Sequence, residues 1–316
     1  MYTRLAAQIA LGLALTTFAS TCGSGGTPPP ARAAGPRVGG CSVLPADNPW
    51  NTDISKVAVA ANSSRYVAEI NGSGATAVPP DFGSNPSYGI PYLVVPQGTA
   101  LQRIRYTAYG SESDPGPFPI PPTAKIEGGS SSNGDRHVLV VEQATCHLYE
   151  LGRAFWRTDH WDATVGVNWN LRSNALRPLG YTSADAAGLP ILPGLVRYDE
   201  VAAGAINHAL RFTVAQTQRA FILPATHYAS SSTDPNLPPM GLRFRLKAGF
   251  DLSGFHGQSL VIMKALKKYG MMVADNGSNW FISGATDSRW NDDDLNQLKT
   301  VPGSAFEVVD TGLIHH

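Results

Sequence analysis

Hydrophobic and polar residues alternate along much of the chain in the way that is typical of β-strands. The clearest case is residues 101–110, where Ile104 and Tyr106 fall on one face and Arg103 and Arg105 on the other. Short apolar runs bounded by Gly, Pro and polar residues also predict strands. These runs lie at 90–97, 206–214, 219–225 and 241–249, and two predicted hairpins lie at 136–151, with a turn at 143–145, and at 271–284, with a turn at 275–278.

Two segments have the apolar spacing or the end signals of helices. Residues 256–270 carry apolar side chains on one side of a helix and end on a glycine. Residues 291–300 begin with an asparagine cap and three aspartates, which favours a short helix. Strands and helices do not alternate regularly, so a parallel dinucleotide-binding sheet is not predicted. The predicted fold is mainly β, a β-sandwich or jelly-roll-like single domain with one or two added helices, and an α+β layer is the alternative.

The first 22 residues have the features of an export signal. Arg4 precedes an apolar run that is too short to span a membrane, which predicts a signal peptide over 1–22. The sequence "ASTC" ending at Cys22 resembles the end of a lipoprotein signal peptide, which would place a lipid on Cys22. The alternative is ordinary secretion, with cleavage of the leader near residues 31–35. Residues 23–40 are predicted to be a Gly/Pro-rich linker, followed by one globular domain over 41–316. We therefore expect an exported protein that meets a membrane only through a lipid on Cys22.

Two cysteines remain once the leader is removed, Cys41 and Cys146. An isolated pair in an oxidising compartment predicts a disulfide. Lys plus Arg and Asp plus Glu both number 24, and charged residues make up only 15% of the chain. This balance gives no basic patch for nucleic acid. We expect a monomer with no cofactor, and a metal ion is left open.

The acids of one unusual segment are candidates for catalysis. In "SADAAGLPILPGLVRYDEV" (183–201) the chain is predicted to bend at both ends of one buried strand, which places Asp185 and Glu200 at the bends. Cleavage of a glycosidic bond uses two carboxyl groups, one protonated and one ionised, so this pair is the candidate set. The alternatives are a turn or helix cap for Asp185 and an exposed surface position for Glu200.

Two histidines lie close to strand ends, where they could join these acids. His208 lies on the predicted strand at 206–214, and His227 follows the run at 219–225. If these strands pair, the two imidazoles approach each other and could act as bases or as metal ligands. Packed, structural histidines are the alternative. His137 is predicted to be structural.

Substrate contacts are predicted from residues that combine a flat ring or a charge with polar neighbours. Several indoles lie among Asn, Asp, Ser and Arg, as in small-molecule sites with polar and aromatic linings. The alternative is that these rings cover the core and extend only their polar tips to water. For Asp275 the alternative to a substrate contact is a turn residue, since Asp-Asn-Gly favours tight turns. The predicted contacts are Trp161, Trp169, Trp280, Arg211, Tyr228 and Asp275.

Three stretches carry a resemblance to a known group of proteins. They are residues 170–213, which include "GLPILPGLVRYDEVAAG" and "HALRFT", residues 229–255, and "YGMMVADNGSNWFISG" at 269–284. Together they resemble a family of secreted bacterial proteins of unassigned activity, over most of the chain from "DNPWNTDI" to "GSAFEVVD". The resemblance implies an exported, single globular unit. It implies no catalytic residue.

The leading functional hypothesis is a secreted carbohydrate-active enzyme that cleaves glycosidic bonds of a polysaccharide by acid/base chemistry. Asp185 and Glu200 would be the carboxylates, assisted by His208 and His227. A lyase variant would use a histidine or Tyr228 as base and an arginine to neutralise a uronate. The alternatives are a non-catalytic glycan-binding or cell-envelope protein, and a metal-dependent hydrolase that uses the two histidines and an acid.

Overall fold

The fold consists of three main β-sheets and four α-helices in a computed structural model that describes residues 35–316. The predicted signal peptide and most of the predicted linker lie outside the described residues. The helices are α1 (Ser63–Gly72), α2 (Tyr198–Ala202), α3 (Gly257–Lys268) and α4 (Asp292–Leu295). The strands are β1 (Arg37–Val38), β2 (Cys41–Ser42), β3 (Pro80–Asp81), β4 (Tyr92–Val95), β5 (Arg103–Tyr106), β6 (Val138–Glu142), β7 (His147–Gly152), β8 (Phe155–Trp156), β9 (His160–Ala163), β10 (Val165–Asn170), β11 (Leu210–Val214), β12 (Phe221–Ile222), β13 (Arg243–Leu246), β14 (Met271–Asn276), β15 (Ile282–Ser283), β16 (Phe306–Val308) and β17 (Ile314–His315).

In the four-stranded sheet of order β10-β7-β6-β4, the central strand β6 is buried on both faces. Because successive side chains of a strand point to opposite faces, β6 contributes to two cores. Leu139 and Val141 belong to the large core, which they share with the six-stranded sheet. Val138 and Val140 belong to a smaller core that also contains Trp161 of the three-stranded sheet β5-β9-β8. The unbroken apolar run of β6 therefore reflects burial on both sides.

The six-stranded sheet has the order β16-β13-β14-β11-β15-β3. The predicted hairpin over 271–284 is wrong, because β14 and β15 lie on opposite sides of β11 instead of pairing with each other. β14 runs parallel to β11, and β15 runs antiparallel to it. Between them Trp280 adopts φ +66° and stacks on Phe212, with ring centroids 5.8 Å apart. Burial of a large ring thus outweighs the local preference of Asp-Asn-Gly for a tight turn.

The predicted class, mainly β with added helices, is confirmed, although there are four helices rather than one or two. The hairpin over 136–151 is present as β6 and β7, which pair in antiparallel register. The helix expected at 256–270 is α3, and Gly270 follows it with φ +66°. A Cβ at Gly270 would lie 2.0 Å from the carbonyl oxygen of Phe244, so only glycine fits this turn. Within 35–316, no helix is long and apolar enough to cross a bilayer.

The predicted disulfide is confirmed. Cys41 and Cys146 are bonded, with 5.4 Å between their Cα atoms. Cys41 lies in β2, which forms a small hairpin with β1, so ordered structure begins before the predicted boundary at residue 41. The bond closes a sequence separation of 105 residues, and cross-links of such long loops restrict the unfolded chain strongly.

The segment 183–201 does not form the predicted strand. It runs as buried turns, a short 3₁₀ helix at Leu192–Gly194 and the helix α2. The buried carboxylate of Glu150 accepts hydrogen bonds from the backbone N–H groups of Ile191 and Leu192, both at 3.0 Å, and from the Trp169 indole at 3.0 Å. Pro190 and Pro193 have no backbone N–H, so this segment cannot form the regular hydrogen bonds of a β-strand. The N–H groups of Ile191 and Leu192 are bonded by the Glu150 carboxylate instead of by a neighbouring strand.

Replacing Glu150 with glutamine should remove a pH dependence of stability. Burial raises the pKa of Glu150 to about 7. Since the folded protein holds this proton more tightly than the unfolded chain, the stabilisation is complete near pH 4 and is lost as the pH rises to 7. In urea denaturation, the wild type should lose about 3 kcal/mol over this range, and Glu150→Gln should lose much less. The neighbouring Glu142→Gln is the control and should keep the wild-type slope, and an unchanged slope in Glu150→Gln would contradict the prediction.

Candidate functional site

A polar cleft of about 750 Å³ opens where three distant parts of the chain meet. Its walls are the turn at 182–186, the loop at 227–231 that follows β12, and residues at the ends of β7 and β14. The ionisable side chains that line it are Tyr109, Asp135, His137, Arg153, Arg219, His227, Tyr228 and Asp275. Three of the predicted catalytic and substrate-contact residues line this cleft: His227 and Tyr228 from one loop, and Asp275 from β14.

The turn at 185–188 fixes the distance between the cleft walls. The backbone N–H groups of Thr226 and His227 donate to the carbonyl oxygen of Ala187 at 2.9 and 3.1 Å. The Ala187 N–H in turn donates to the carbonyl oxygen of Ala274 in β14, at 3.1 Å. Gly188 has φ +71°, and a Cβ there would lie 2.2 Å from the Thr226 hydroxyl. This glycine therefore permits the close approach that joins the two walls.

His227 presents one ring nitrogen to the cleft. Its Nδ1 lies 2.8 Å from the carbonyl oxygen of Ala186, which can only accept, so Nδ1 carries the proton. In the neutral ring the lone pair is then at Nε2, and among residues 35–316 this atom has no hydrogen-bond partner. The ring stacks on Tyr228 with centroids 5.7 Å apart and planes 9° apart. An oriented imidazole with an open Nε2 is suited to accept a proton.

Tyr228 and Arg219 form a pair beside this imidazole. Arg219 Nε donates to the Tyr228 hydroxyl at 3.1 Å, and the guanidinium lies 5.5 Å from the centre of the phenol ring. Arg219 is exposed, and the contact with the phenol raises its pKa. The pair brings a cation and a hydroxyl to the wall that carries His227.

Asp275 is one of two aspartates that line the cleft, and its pKa is set first by burial and then by the charges behind it. Arg211 Nε donates to Asp185 at 3.1 Å, and His137 Nδ1 lies 2.6 Å from a carboxylate oxygen of Glu127. Arg211 and His137 are thus each paired with another carboxylate. Asp275 forms no ion pair within the described residues. Burial and the nearby Asp185 raise the pKa of Asp275 to about 6. Asp275 can therefore hold a proton in mildly acidic conditions.

His137 contributes a fixed positive charge at the floor of the cleft. Burial opposes a charge on this ring, but the carboxylate of Glu127 raises the pKa of His137 to about 9. The other nitrogen, Nε2, donates to the carbonyl oxygen of Ala184 at 2.9 Å. Both nitrogens are therefore donors, which makes His137 a cation at neutral pH.

Two residues beside the cleft have strained backbones. Arg136 and Arg153 have φ of 51° and 46°, in a region that non-glycine residues seldom adopt. Arg153 N–H donates to the carbonyl oxygen of Asp135 at 2.7 Å, and Ala154 N–H donates to that of Arg136 at 3.1 Å, which holds both residues in place. Such strain concentrates at functional sites, so it supports a role for the cleft.

Glu200 and His208 form a separate buried cluster. His208 Nε2 lies 3.0 Å from Glu200 Oε2, and Arg197 Nη2 donates to the other oxygen at 2.7 Å. None of the three lines the cleft. The expected meeting of His208 with His227 is wrong, because β11 and β12 belong to different sheets and do not pair. Asp185 and Glu200 therefore do not flank one bond.

Asp185 and Arg211 lie behind the cleft and do not line it. The side chain of Asp185 is fully buried, where one oxygen accepts from Ala187 N–H at 3.1 Å and the other from Arg211. Arg211 also donates to the Ser283 hydroxyl at 2.7 Å. The turn role weighed for Asp185 is the one that its geometry supports. Arg211 is buried, donates to protein partners and does not line the cleft, so its predicted contact with substrate is not met.

The three tryptophans predicted to bind substrate are core residues. Trp161 and Trp280 are fully buried, and Trp169 is 9% exposed. Each indole N–H donates to a protein acceptor. The acceptor is the carbonyl oxygen of Ile120 for Trp161, Asn71 Oδ1 for Trp280 and the Glu150 carboxylate for Trp169. Asp162 and Asn279, the polar neighbours of Trp161 and Trp280, are buried as well, so polar neighbours in the sequence did not indicate an exposed ring. The expected indole-lined cleft is wrong.

Sequence reasoning missed Arg153, Arg219 and the charged state of His137. The histidine lies at the start of a strand in an ordinary context, and only its contact with Glu127 gives it a charge. The pairing of β6 with β7 brings Arg153 close to Asp135 and Arg136. Because the hairpin itself was predicted, this proximity could have been predicted from the sequence. The described residues contain no group of three or more His, Cys, Asp or Glu that could hold a metal ion.

Comparison with known proteins found no matching family model, no matching curated protein and no matching solved structure. The resemblance to secreted bacterial proteins accordingly stays a prediction.

Proposed function

We propose that this protein is a carbohydrate-active enzyme that cleaves glycosidic bonds by acid/base chemistry in the cleft. The observation that carries the proposal is that one cleft contains both an imidazole with an open nitrogen and a carboxyl group that holds its proton near pH 6. His227 would be the base and Asp275 the acid, in place of the pair expected from the sequence. A matched acid and base are what this chemistry requires.

The rest of the lining supports a hydroxyl-rich ligand. Thr182, Ser183, Ser230 and Ser231 contribute hydroxyl and backbone groups, and Tyr228 contributes a partly exposed ring. Such a surface can exchange hydrogen bonds with sugar hydroxyls while the ring covers a sugar face. The disulfide supports the proposal that the enzyme works after export, in an oxidising compartment.

A screen of neutral and acidic polysaccharides for new reducing ends tests the proposal. Activity should fall as the pH rises above about 6, because the proton that Asp275 donates is then lost. Asp275→Asn should lower kcat by about 10²-fold or more at pH 5.5 and abolish this fall. The control is Asp293→Asn, an exposed carboxylate of α4, which should keep wild-type activity.

The outcomes separate the two functional hypotheses. Folded protein that releases no ends from any glycan would remove the enzymatic proposal. Retained binding of a polysaccharide without turnover would then assign the non-catalytic glycan-binding function. Cleavage that is unaffected by Asp275→Asn would leave the enzyme but remove Asp275 as its acid.

A further inference from the structure

Two arginines of the cleft have no acidic partner. Arg153 and Arg219 are both exposed and line the cleft, and neither forms an ion pair within the described chain. Some other exposed arginines are paired, Arg103 with Asp159 and Arg289 with both Asp199 and Asp287, whereas Arg65 and Arg172 form no ion pair within the described residues. An unpaired guanidinium at a cleft is suited to bind a carboxylate through two parallel hydrogen bonds.

Positive charge is concentrated on the Arg153 side. Burial lowers the pKa of Arg136, and the neighbouring guanidinium groups of Arg153 and Arg157 lower it further. Arg157 is partly neutralised by Asp162, at 2.8 Å, whereas Arg153 has no such partner. His137 adds a cation below the cleft, although Glu127 neutralises it. An anionic group of a ligand beside Arg153 would relieve this repulsion.

The carboxylates of the cleft do not supply the pair that hydrolysis commonly uses. A glycosidase places two carboxyl groups on opposite sides of the scissile bond. Asp185, the carboxylate that influences Asp275, is fully buried and bonded to Arg211 and Ala187 N–H, so it cannot reach a sugar. Asp135 lines the cleft but lies exposed on a loop. Elimination needs only one acid, together with a base and a cation that binds the substrate carboxylate.

From this lining, and resting on the proposed function, we propose that the substrate is a uronate-containing polysaccharide, that Arg153 and Arg219 bind its carboxylate, and that the glycosidic bond is broken by β-elimination. His227 Nε2 removes the proton from the ring carbon beside the carboxylate, C5. The electron pair forms a C4=C5 double bond as the bond from C4 to the glycosidic oxygen breaks. Asp275 gives its proton to the departing oxygen. No water is consumed and no oxidant is needed.

The arginines lower the barrier because negative charge grows on the carboxylate as C5 loses its proton. Two guanidinium groups on this carboxylate stabilise the charge where it develops. The contact between Arg219 and the Tyr228 hydroxyl keeps the guanidinium on the wall that carries His227. The base and a carboxylate-binding group therefore lie on the same wall of the cleft, on either side of β12 in the sequence.

The experiment measures two products in parallel. Polygalacturonate, alginate and hyaluronan are compared with their carboxyl-reduced forms and with neutral xylan and β-glucan. We expect reducing ends and ultraviolet absorbance of the unsaturated uronate to rise together on at least one acidic polymer, with no cleavage of its carboxyl-reduced form. Reducing ends without absorbance would overturn the inference while leaving the proposed function intact. Absence of cleavage on every polymer would overturn both.

Variants test the carboxylate contact directly. Arg153→Gln should raise KM on the acidic polymer by about 10-fold to 100-fold, the loss expected for one charge-assisted hydrogen-bonded contact. It should also lower kcat, because this guanidinium stabilises the charge that grows on the carboxylate. Arg219→Gln should lower kcat as well, since it also releases Tyr228. Arg65→Gln, an exposed arginine of α1 that does not line the cleft, is the control and should match the wild type. Wild-type KM in both cleft variants would overturn the assignment of these arginines.

Discussion

Replacing His227 with alanine should lower kcat on a cleaved polysaccharide by about 10²–10⁴-fold and leave the fold unchanged. The ring is half-buried at the cleft wall, and within residues 35–316 its only hydrogen bond is from Nδ1 to the carbonyl oxygen of Ala186. Loss of the ring therefore removes the base at little cost to stability. Steady-state kinetics and a urea denaturation curve measure the two effects separately.

Chemical rescue distinguishes a base from a structural residue at this position. Free imidazole should restore part of the activity of His227→Ala, because it can enter the space that the ring leaves and accept the same proton. The matched control is His256→Ala, an exposed histidine before α3, which should have wild-type kcat and no response to imidazole. A His227→Ala variant with wild-type kcat would contradict the proposed mechanism.

Replacing Arg211 with methionine should lower the free energy of unfolding by about 3–5 kcal/mol. This change leaves Asp185 fully buried without its ion-pair partner, and it also removes the hydrogen bond to Ser283. The double variant Arg211→Met with Asp185→Leu should recover most of the loss, since neither charge is then buried alone. Urea denaturation of both proteins gives the comparison.

A surface ion pair provides the scale for this effect. Arg103 and Asp159 are both exposed, so Arg103→Met should cost at most about 1 kcal/mol. If Arg211→Met fails to fold, Arg211→Lys keeps the charge and should fold with a smaller loss than methionine would impose. An Arg211→Met protein as stable as the wild type would contradict the structural role of this pair.

Features with a local sequence signal were predictable. The hairpin of β6 and β7, the helix α3 and the Asn291 cap of α4, which accepts from Asp294 N–H, all follow from neighbouring residues. The disulfide followed from cysteine number alone. The path of 183–201 was not predictable, because the partner of its backbone is a carboxylate on β7, far away in sequence.

The cleft itself depends on strand pairing that no local pattern records. Asp275 reaches the cleft because β14 runs beside β11 rather than turning back to β15. His137 acquires its charge from Glu127, across a loop, and Asp185 acquires its partner from β11. Sequence reasoning found Asp275, His227 and Tyr228 as individual residues, but it assigned the leading catalytic role to acids that the fold uses for packing.

The insertion of β14 between β11 and β13 sets an order for assembly. Both neighbours precede β14 in the chain, so the six-stranded sheet stays divided until residues 271–276 arrive. Contacts between such distant segments form late and slowly. The same strand delivers Asp275. A ribosome must therefore release nearly the whole polypeptide before Asp275 can join His227 in the lining of one cleft.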